Sequence, residues 1–120
     1  RAEDRPADFT MMYSNIDDFD IAYKWGINKN LDGMFACTPK TAQKMYQALA
    51  ADDYAAAGKH LDDILALRNL FLTTPCLMKA FTHAMNLLGC EGNFAQDYNR
   101  DIPDADKERV TAAMKALGEI

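Results

Sequence analysis

The stretch DYAAAGKHLDDILALRNLFLTT, Asp53 to Thr74, constrains this chain more than any other. Leu61, Ile64, Leu65 and Leu72 recur at helical spacing on one side, and Leu67, Leu70 and Phe71 widen the apolar arc. A long helix that is apolar over so wide an arc is expected to pack on more than one neighbour. Helical spacing also marks its surroundings. In TPKTAQKMYQALAADD, Thr38 is placed to cap a helix and Pro39 to occupy its first position, where the missing N–H costs nothing. Ala42, Met45, Tyr46 and Leu49 form that helix's buried stripe.

Downstream, TTPCLMKAFTHAMNLLG reads the same way. Thr74 is the expected cap, Pro75 the first helical residue, and Leu77, Phe81, Ala84, Met85 and Leu88 the core stripe. Gly89 suits the position just past the end, where a left-handed backbone is free of Cβ strain. CEGNFAQDYNRDIP is an irregular connection. Asp104 is then expected to cap a last helix with Val110, Ala113, Met114 and Leu117 inward and Gly118 at its end.

The N-terminal part has another rhythm. Residues 1–8 are charged, contain Pro6 and read as a surface loop. FTMMYS, Phe9 to Ser14, is a short apolar run that fits a buried strand, the alternative being the start of a helix. Asn15, Asp17 and Asp18 supply turn and capping chemistry, followed by a short helix with Phe19, Ala22 and Tyr23 on one face and Gly26 near its end. After the turn-rich INKNLDG, the run GMFAC, Gly33 to Cys37, again reads as a strand. Strand, helix, strand, helix is the order of a βαβ unit with parallel strands.

The chain has 120 residues, enough for one small domain with a modest core. A hydrophobic share of 49% is too high for a disordered tail. The net charge of −5 comes without a basic cluster, which argues against nucleic acid or an anionic membrane as partner. No apolar run approaches the roughly 20 residues of a membrane span, and no secretory h-region opens the chain. Cys37, Cys76 and Cys90 are odd in number and widely spaced, which suits reduced thiols in a cytoplasmic protein better than a disulfide framework or zinc knuckle. The chain opens RAEDRPADF without an initiator methionine, which is compatible with processing, expression as a fragment, or proteolysis.

Candidates for chemistry are few. His60 and His83 lie 23 residues apart with no convergent ligand spacing, so no metal site is expected. Asp62 and Asp63 are adjacent and point to different helix faces, which excludes an acid/base dyad. Asp17, Asp18 and Asp20 open a helix, where acids offset the macrodipole. A functional role for them rests only on loops after parallel strands being where barrel enzymes keep their sites. Cys37 ends an expected strand just before a helix N-terminus, a setting that lowers a thiol pKa. With no histidine near it in sequence, a small packing residue is the better reading. Lys79 sits one turn inside its helix and reads as structural, and the seven methionines fall at core spacing.

Taken in order, these segments resemble the C-terminal part of the dihydrodipicolinate synthase / N-acetylneuraminate lyase family, the class I pyruvate-dependent aldolases and dehydratases. TPCLMKAFTHAMNLLG is similar to the family's Asn-Pro-x-Pro-Val-Lys-x-Ala-Leu…Gly segment, with Pro75, Lys79, Ala80 and Gly89 matching. LDGMFACTPKTAQKMYQALAADDYAAA resembles its eighth strand and helix, FTMMYSNIDD its seventh strand with a Gly-Asp-Asp-like end, and DIPDADKERVTAAMKALG its last helix. The resemblance spans nearly the whole chain. The chain departs from the pattern at Ser14, where the family often has Gly, at Pro39, where many members carry Asn, and in a longer INKN loop.

The resemblance implies an α/β, mainly helical chain: the C-terminal portion of a (β/α)8 TIM barrel. Residues 1–52 would be its last two βα units, and residues 53–120 a C-terminal three-helix extension supporting homo-oligomer contacts. It implies a lyase that forms a Schiff base with pyruvate or another 2-keto acid substrate, needing no cofactor and no metal. The Schiff-base lysine and catalytic tyrosine would lie upstream of Arg1, which agrees with a fragment cut after the sixth strand. This chain would then hold no catalytic residue and be inactive alone, contributing pocket walls: Tyr13, Ser14 and Asn15 after one strand, Phe35, Ala36 and Cys37 on the next. Strands cut from a barrel expose edges, so self-association, strand exchange or disorder is expected over residues 1–35. The competing reading is an independent small helical protein-interaction domain that binds a partner through an apolar groove between Met- and Leu-rich helices.

Overall fold

The computed structural model describes residues 4–120, and the first three residues of the expected N-terminal loop lie outside it. Six helices follow in order: α1 (Phe19–Lys24), α2 (Met34–Cys37), α3 (Pro39–Ala50), α4 (Tyr54–Leu72), α5 (Leu77–Leu87) and α6 (Asp104–Leu117). The chain is mainly helical, and no strand forms among the described residues.

Helix α4 is the hub, packing against all five other helices. Ala57, Leu61, Ile64, Leu67 and Phe71 are buried along it, and burying a side chain the size of Phe71 contributes about 1.5–3 kcal/mol. Leu65 and Leu70 pack on this core half-buried. Leu72, read as part of the stripe, is exposed instead, because it is the last helical residue and the chain turns away at Thr73. Asp53 caps α4, its Oδ1 accepting the Ala56 amide at 3.0 Å. Helix α3 pairs with α4 as a hairpin and brings Met45 and Leu49 into the core, while α5 adds Ala80 and Ala84 and α6 adds Val110 and Met114. From the N-terminal part come Ile16, Phe19, Ala22, Met34 and Cys37.

Both expected strands fail for physical reasons. Phe9–Ser14 forms no strand and pairs with another segment only at Tyr13, in an isolated parallel bridge to Asn30. The Tyr13 amide donates to Lys29 O at 2.8 Å and Tyr13 O accepts the Leu31 amide at 2.9 Å. One bridge with no further neighbour cannot sustain a ladder. Gly33–Cys37 instead turns helical. Asp32 Oδ1 accepts the Met34 amide at 2.9 Å and starts the turn, which buries Met34 and Cys37 on one side. Five apolar residues carry no period that separates strand from helix, and without a paired edge the local turn wins.

The helix ends mix expectation and correction. Backbone φ is positive at Gly26 (85°), Gly89 (87°) and Gly118 (75°), each just past a helix, as expected of glycine there. At Gly89 the chain closes with Cys90 N–H donating to Met85 O at 3.0 Å, and Gly118 does likewise through Glu119 N–H and Met114 O at 3.0 Å. Asp52 takes the same role after α3 at φ 55°. The N-termini differ from expectation. Helix α5 begins at Leu77, not Pro75, and the Thr74 hydroxyl donates back to Phe71 O at 2.7 Å, closing α4 rather than opening α5. Pro103, not Asp104, occupies the N-cap position of α6.

Thr38 does sit at the α3 N-cap and Pro39 in its first turn, but the Thr38 hydroxyl donates to Met34 O at 2.8 Å. The cap of α3 comes from the far end of the chain. Glu119, 3% exposed, accepts the Lys40 amide at 3.0 Å, the Thr41 amide at 2.8 Å and the Thr41 hydroxyl at 2.6 Å. Lys40 Nζ answers by donating to Gly118 O at 3.1 Å and Glu119 O at 3.0 Å. The N-terminal arm is tied separately: Arg68 on α4 forks onto Asp17 at 2.7 and 2.8 Å. The radius of gyration, 15.8 Å, exceeds the ~13.6 Å of a compact chain this long, and the molecule measures 48 × 29 × 23 Å.

Two outcomes follow for stability. Glu119→Ala strips three donors of their acceptor and is expected to cost about 2–3 kcal/mol in urea unfolding, with Glu119→Gln recovering part of the loss. The hydrogen bonds from Arg68 hold the Asp17 carboxyl below its ordinary value of 3.8. A carboxyl depressed on folding stabilises above its unfolded pKa, and that contribution disappears as pH falls through the folded one. Asp17→Asn is therefore expected to lower stability at pH 6 and to flatten the decline below pH 3.8, read from urea midpoints across that range.

Candidate functional site

A cavity of about 240 Å³ opens between α1, α2, α3 and the loop before α2, lined by Phe19, Asn30, Phe35, Ala42, Met45 and Tyr46. Helical spacing positions most of this wall. Ala42, Met45 and Tyr46 stand at i, i+3 and i+4 on α3, so one face of the helix presents all three. Aromatic contacts fix the rest. Phe19 meets Tyr23 edge-on at 6.2 Å between centroids, Tyr23 meets Tyr46 at 5.8 Å, and Phe35 tilts against Phe19 at 6.4 Å. The Tyr46 hydroxyl donates to Asn28 O at 3.0 Å, pinning the ring to the loop.

Asn30 is the polar member. Its Nδ2 donates to Asn15 O at 2.9 Å, while its Oδ1 is buried without a hydrogen-bond partner. An unsatisfied buried amide oxygen costs about 1–3 kcal/mol, which makes Asn30 a costly residue at this position.

The six residues expected to line a pocket separate. Phe35 lines the cavity. Tyr13 and Asn15 stand beside it through their bonds to the Lys29–Leu31 backbone and to Asn30. Ser14 and Ala36 are exposed, and Cys37 is turned into the core by the helical turn that replaces its strand. Asn30 has no signature in the sequence, because a turn-rich loop gives no sign of which side chain turns inward. Met45 and Leu49 were legible as the inward stripe of α3, with Ala42 half-buried, whereas Tyr46, read as part of it, is 44% exposed because it sits at the mouth of the cavity.

The reactive groups elsewhere have ordinary surroundings. Burial, reinforced by the nearby Glu119 carboxylate, pushes the Cys37 thiol up to about 12, which keeps it neutral and without nucleophilic character. His60 Nδ1 lies 4.0 Å from Asp63 on the same helix, and Lys79 Nζ donates to Asn93 Oδ1 at 3.1 Å. Among the described residues no three His, Cys, Asp or Glu side chains gather as a metal site would require. The cavity is lined mainly by aromatic and apolar side chains, with Asn30 as its polar member.

The thiols give a direct test. Cys90 is exposed and Cys76 partly so, while Cys37 is buried; alkylation of the folded chain is expected to modify Cys90 first and Cys37 only on unfolding. An acid whose pKa rises on folding leaves stability unchanged below its unfolded value and lowers it above. From pH 9.0 toward about 12, Cys37 is expected to reduce stability by up to about 1.4 kcal/mol per pH unit, a slope absent in Cys37→Ala under reducing conditions. No protein-family model, no curated protein and no solved structure matches this chain.

Proposed function

We propose that the chain is a C-terminal segment of a Schiff-base-forming lyase, aldolase or dehydratase, of the dihydrodipicolinate synthase / N-acetylneuraminate lyase family. The observation that carries this reading is a run of exposed apolar side chains. Phe9, Met12, Ile21, Trp25 and Leu31 are 54–71% exposed, all within residues 9–31. A finished small domain rarely leaves so many large apolar side chains in one stretch, and missing strands of a larger sheet would cover them. The parallel bridge of Tyr13 with Asn30, with α1 lying between, supports the same reading, since parallel pairing across a helix is the connection of a βα unit. Residues 1–52 would then be the last two βα units of a TIM barrel and residues 53–120 the helical extension.

In this reading a lysine amine upstream of Arg1 condenses with the ketone of pyruvate or another 2-keto acid, releasing water. The resulting iminium takes up the electron pair of the bond that breaks. This segment supplies wall rather than amine: of the expected pocket residues Phe35 lines the cavity, and Tyr13 and Asn15 bond to the loop that carries Asn30. The assembled enzyme would be cytoplasmic and homo-oligomeric. Among the described residues no helix is long and apolar enough to cross a membrane.

One observation favours the second reading, an independent helical interaction domain: a single core cluster draws buried residues from all six helices. Trapping with pyruvate and borohydride separates the two. In a protein extended upstream of Arg1 by its coding sequence, the adduct is expected on an upstream lysine, with none on the lysines of this chain. An adduct on Lys79 or any other lysine here, or no adduct in the extended protein, overturns the lyase reading.

A further inference from the structure

A second cleft, of about 360 Å³, shares no residue with the aromatic cavity. It lies between α5, α6 and their irregular connection, and Lys79, His83, Asn86, Asn93, Asp101 and Lys107 form most of its wall. The hydrogen bonds leave it rich in donors. Asn93 Oδ1 accepts both Lys79 Nζ and the Ala95 amide at 3.1 Å, so its NH₂ group remains for another partner. Lys79 spends one ammonium proton on that neutral oxygen and makes no ion pair among the described residues. Lys107 Nζ donates to Asp101 Oδ2 at 2.6 Å and lies 3.8 Å from Asp104 Oδ1, while Asp101 Oδ1 accepts the Ile102 amide at 2.9 Å.

The His83 tautomer follows from its neighbour. Thr111 Oγ1 donates its proton to Lys107 O at 2.8 Å, so at 3.0 Å from His83 Nε2 it accepts, and Nε2 carries the hydrogen. Lys107 is thus matched by the Asp101 and Asp104 carboxylates, which leaves Lys79, whose ammonium group is hydrogen-bonded only to a neutral amide oxygen, as the cation of the cleft wall without an ion-pair partner among the described residues. Asp104, Glu108 and Lys115 line the adjoining depression, which shares His83 and Lys107 with this one.

We propose that this cleft binds a small oxyanion, a phosphate or a carboxylate, held between the Lys79 ammonium group and the Asn93 amide. Lysine serves as a point-charge anchor for such groups, and converging donors in a partly enclosed cleft strengthen it. The inference is independent of the lyase reading.

Amide chemical shifts of the 120-residue chain, followed during titration with inorganic phosphate and separately with succinate at fixed ionic strength, test it. Saturable shifts are expected at Lys79, Thr82, His83 and Asn93 with at least one anion, and the tighter arm identifies the ligand class. Lys79→Met is expected to weaken that binding by about tenfold or more, Lys79→Arg to retain it, and Lys59→Met, outside the cleft, to leave it unchanged. Equal binding by wild type and Lys79→Met, shifts confined to other surfaces, or no saturation with either anion overturns the proposal.

Discussion

The Glu119 carboxylate is the contact on which the arrangement of this chain most depends. A helix N-terminus leaves amides without partners, and a buried one must find them in the protein. Helix α3 begins directly after the turn of α2, and Thr38 at the junction already commits its hydroxyl to Met34 O. The second and third amides of α3 are therefore satisfied from a distance of 78–79 residues, by a side chain carried past the end of α6. Gly118 makes this reachable by turning the backbone left-handed, and Lys40 returns the contact to the Gly118 and Glu119 carbonyls. The bond set thus clamps α6 to α3 across the hub helix.

Around that clamp, α4 distributes the core. Its wide apolar arc lets it face α3 and α6 while still meeting α1, α2 and α5. The N-terminal arm is held more lightly, by Ile16 and Phe19 in the core, the Asp17–Arg68 pair and one backbone bridge. The aromatic cavity forms where this arm meets the hairpin of α3 and α4. The donor-rich cleft forms at the opposite kind of boundary, where an irregular connection folds polar side chains back over α5 and α6.

How far the sequence could be read depended on the range of the interaction. The four longer helices were legible because spacing of three and four residues repeats over several turns. The glycines after α1, α5 and α6 were legible because a left-handed residue has few chemical solutions. FTMMYS and GMFAC were not, since five or six apolar residues fit either periodicity and the choice falls to whatever edge lies alongside. Of the pocket residues expected, Phe35 reached the cavity, but replacing a strand by a helical turn sent Cys37 into the core and Ala36 to the surface. Asn30 carried no signal at all, because nothing local turns its amide inward.

The sequence by itself determined where the chain coils into its longer helices, where two of them stop, and that Asp53–Thr74 must be surrounded. Those outcomes rest on backbone sterics and on side chains within a turn of one another. Only the tertiary structure decided that Glu119 caps α3, that Arg68 takes Asp17, and that Asn30 closes an aromatic cavity. Each of these joins residues far apart in the chain, and such a partner exists only after packing has brought the two elements together and removed the water that would otherwise satisfy them.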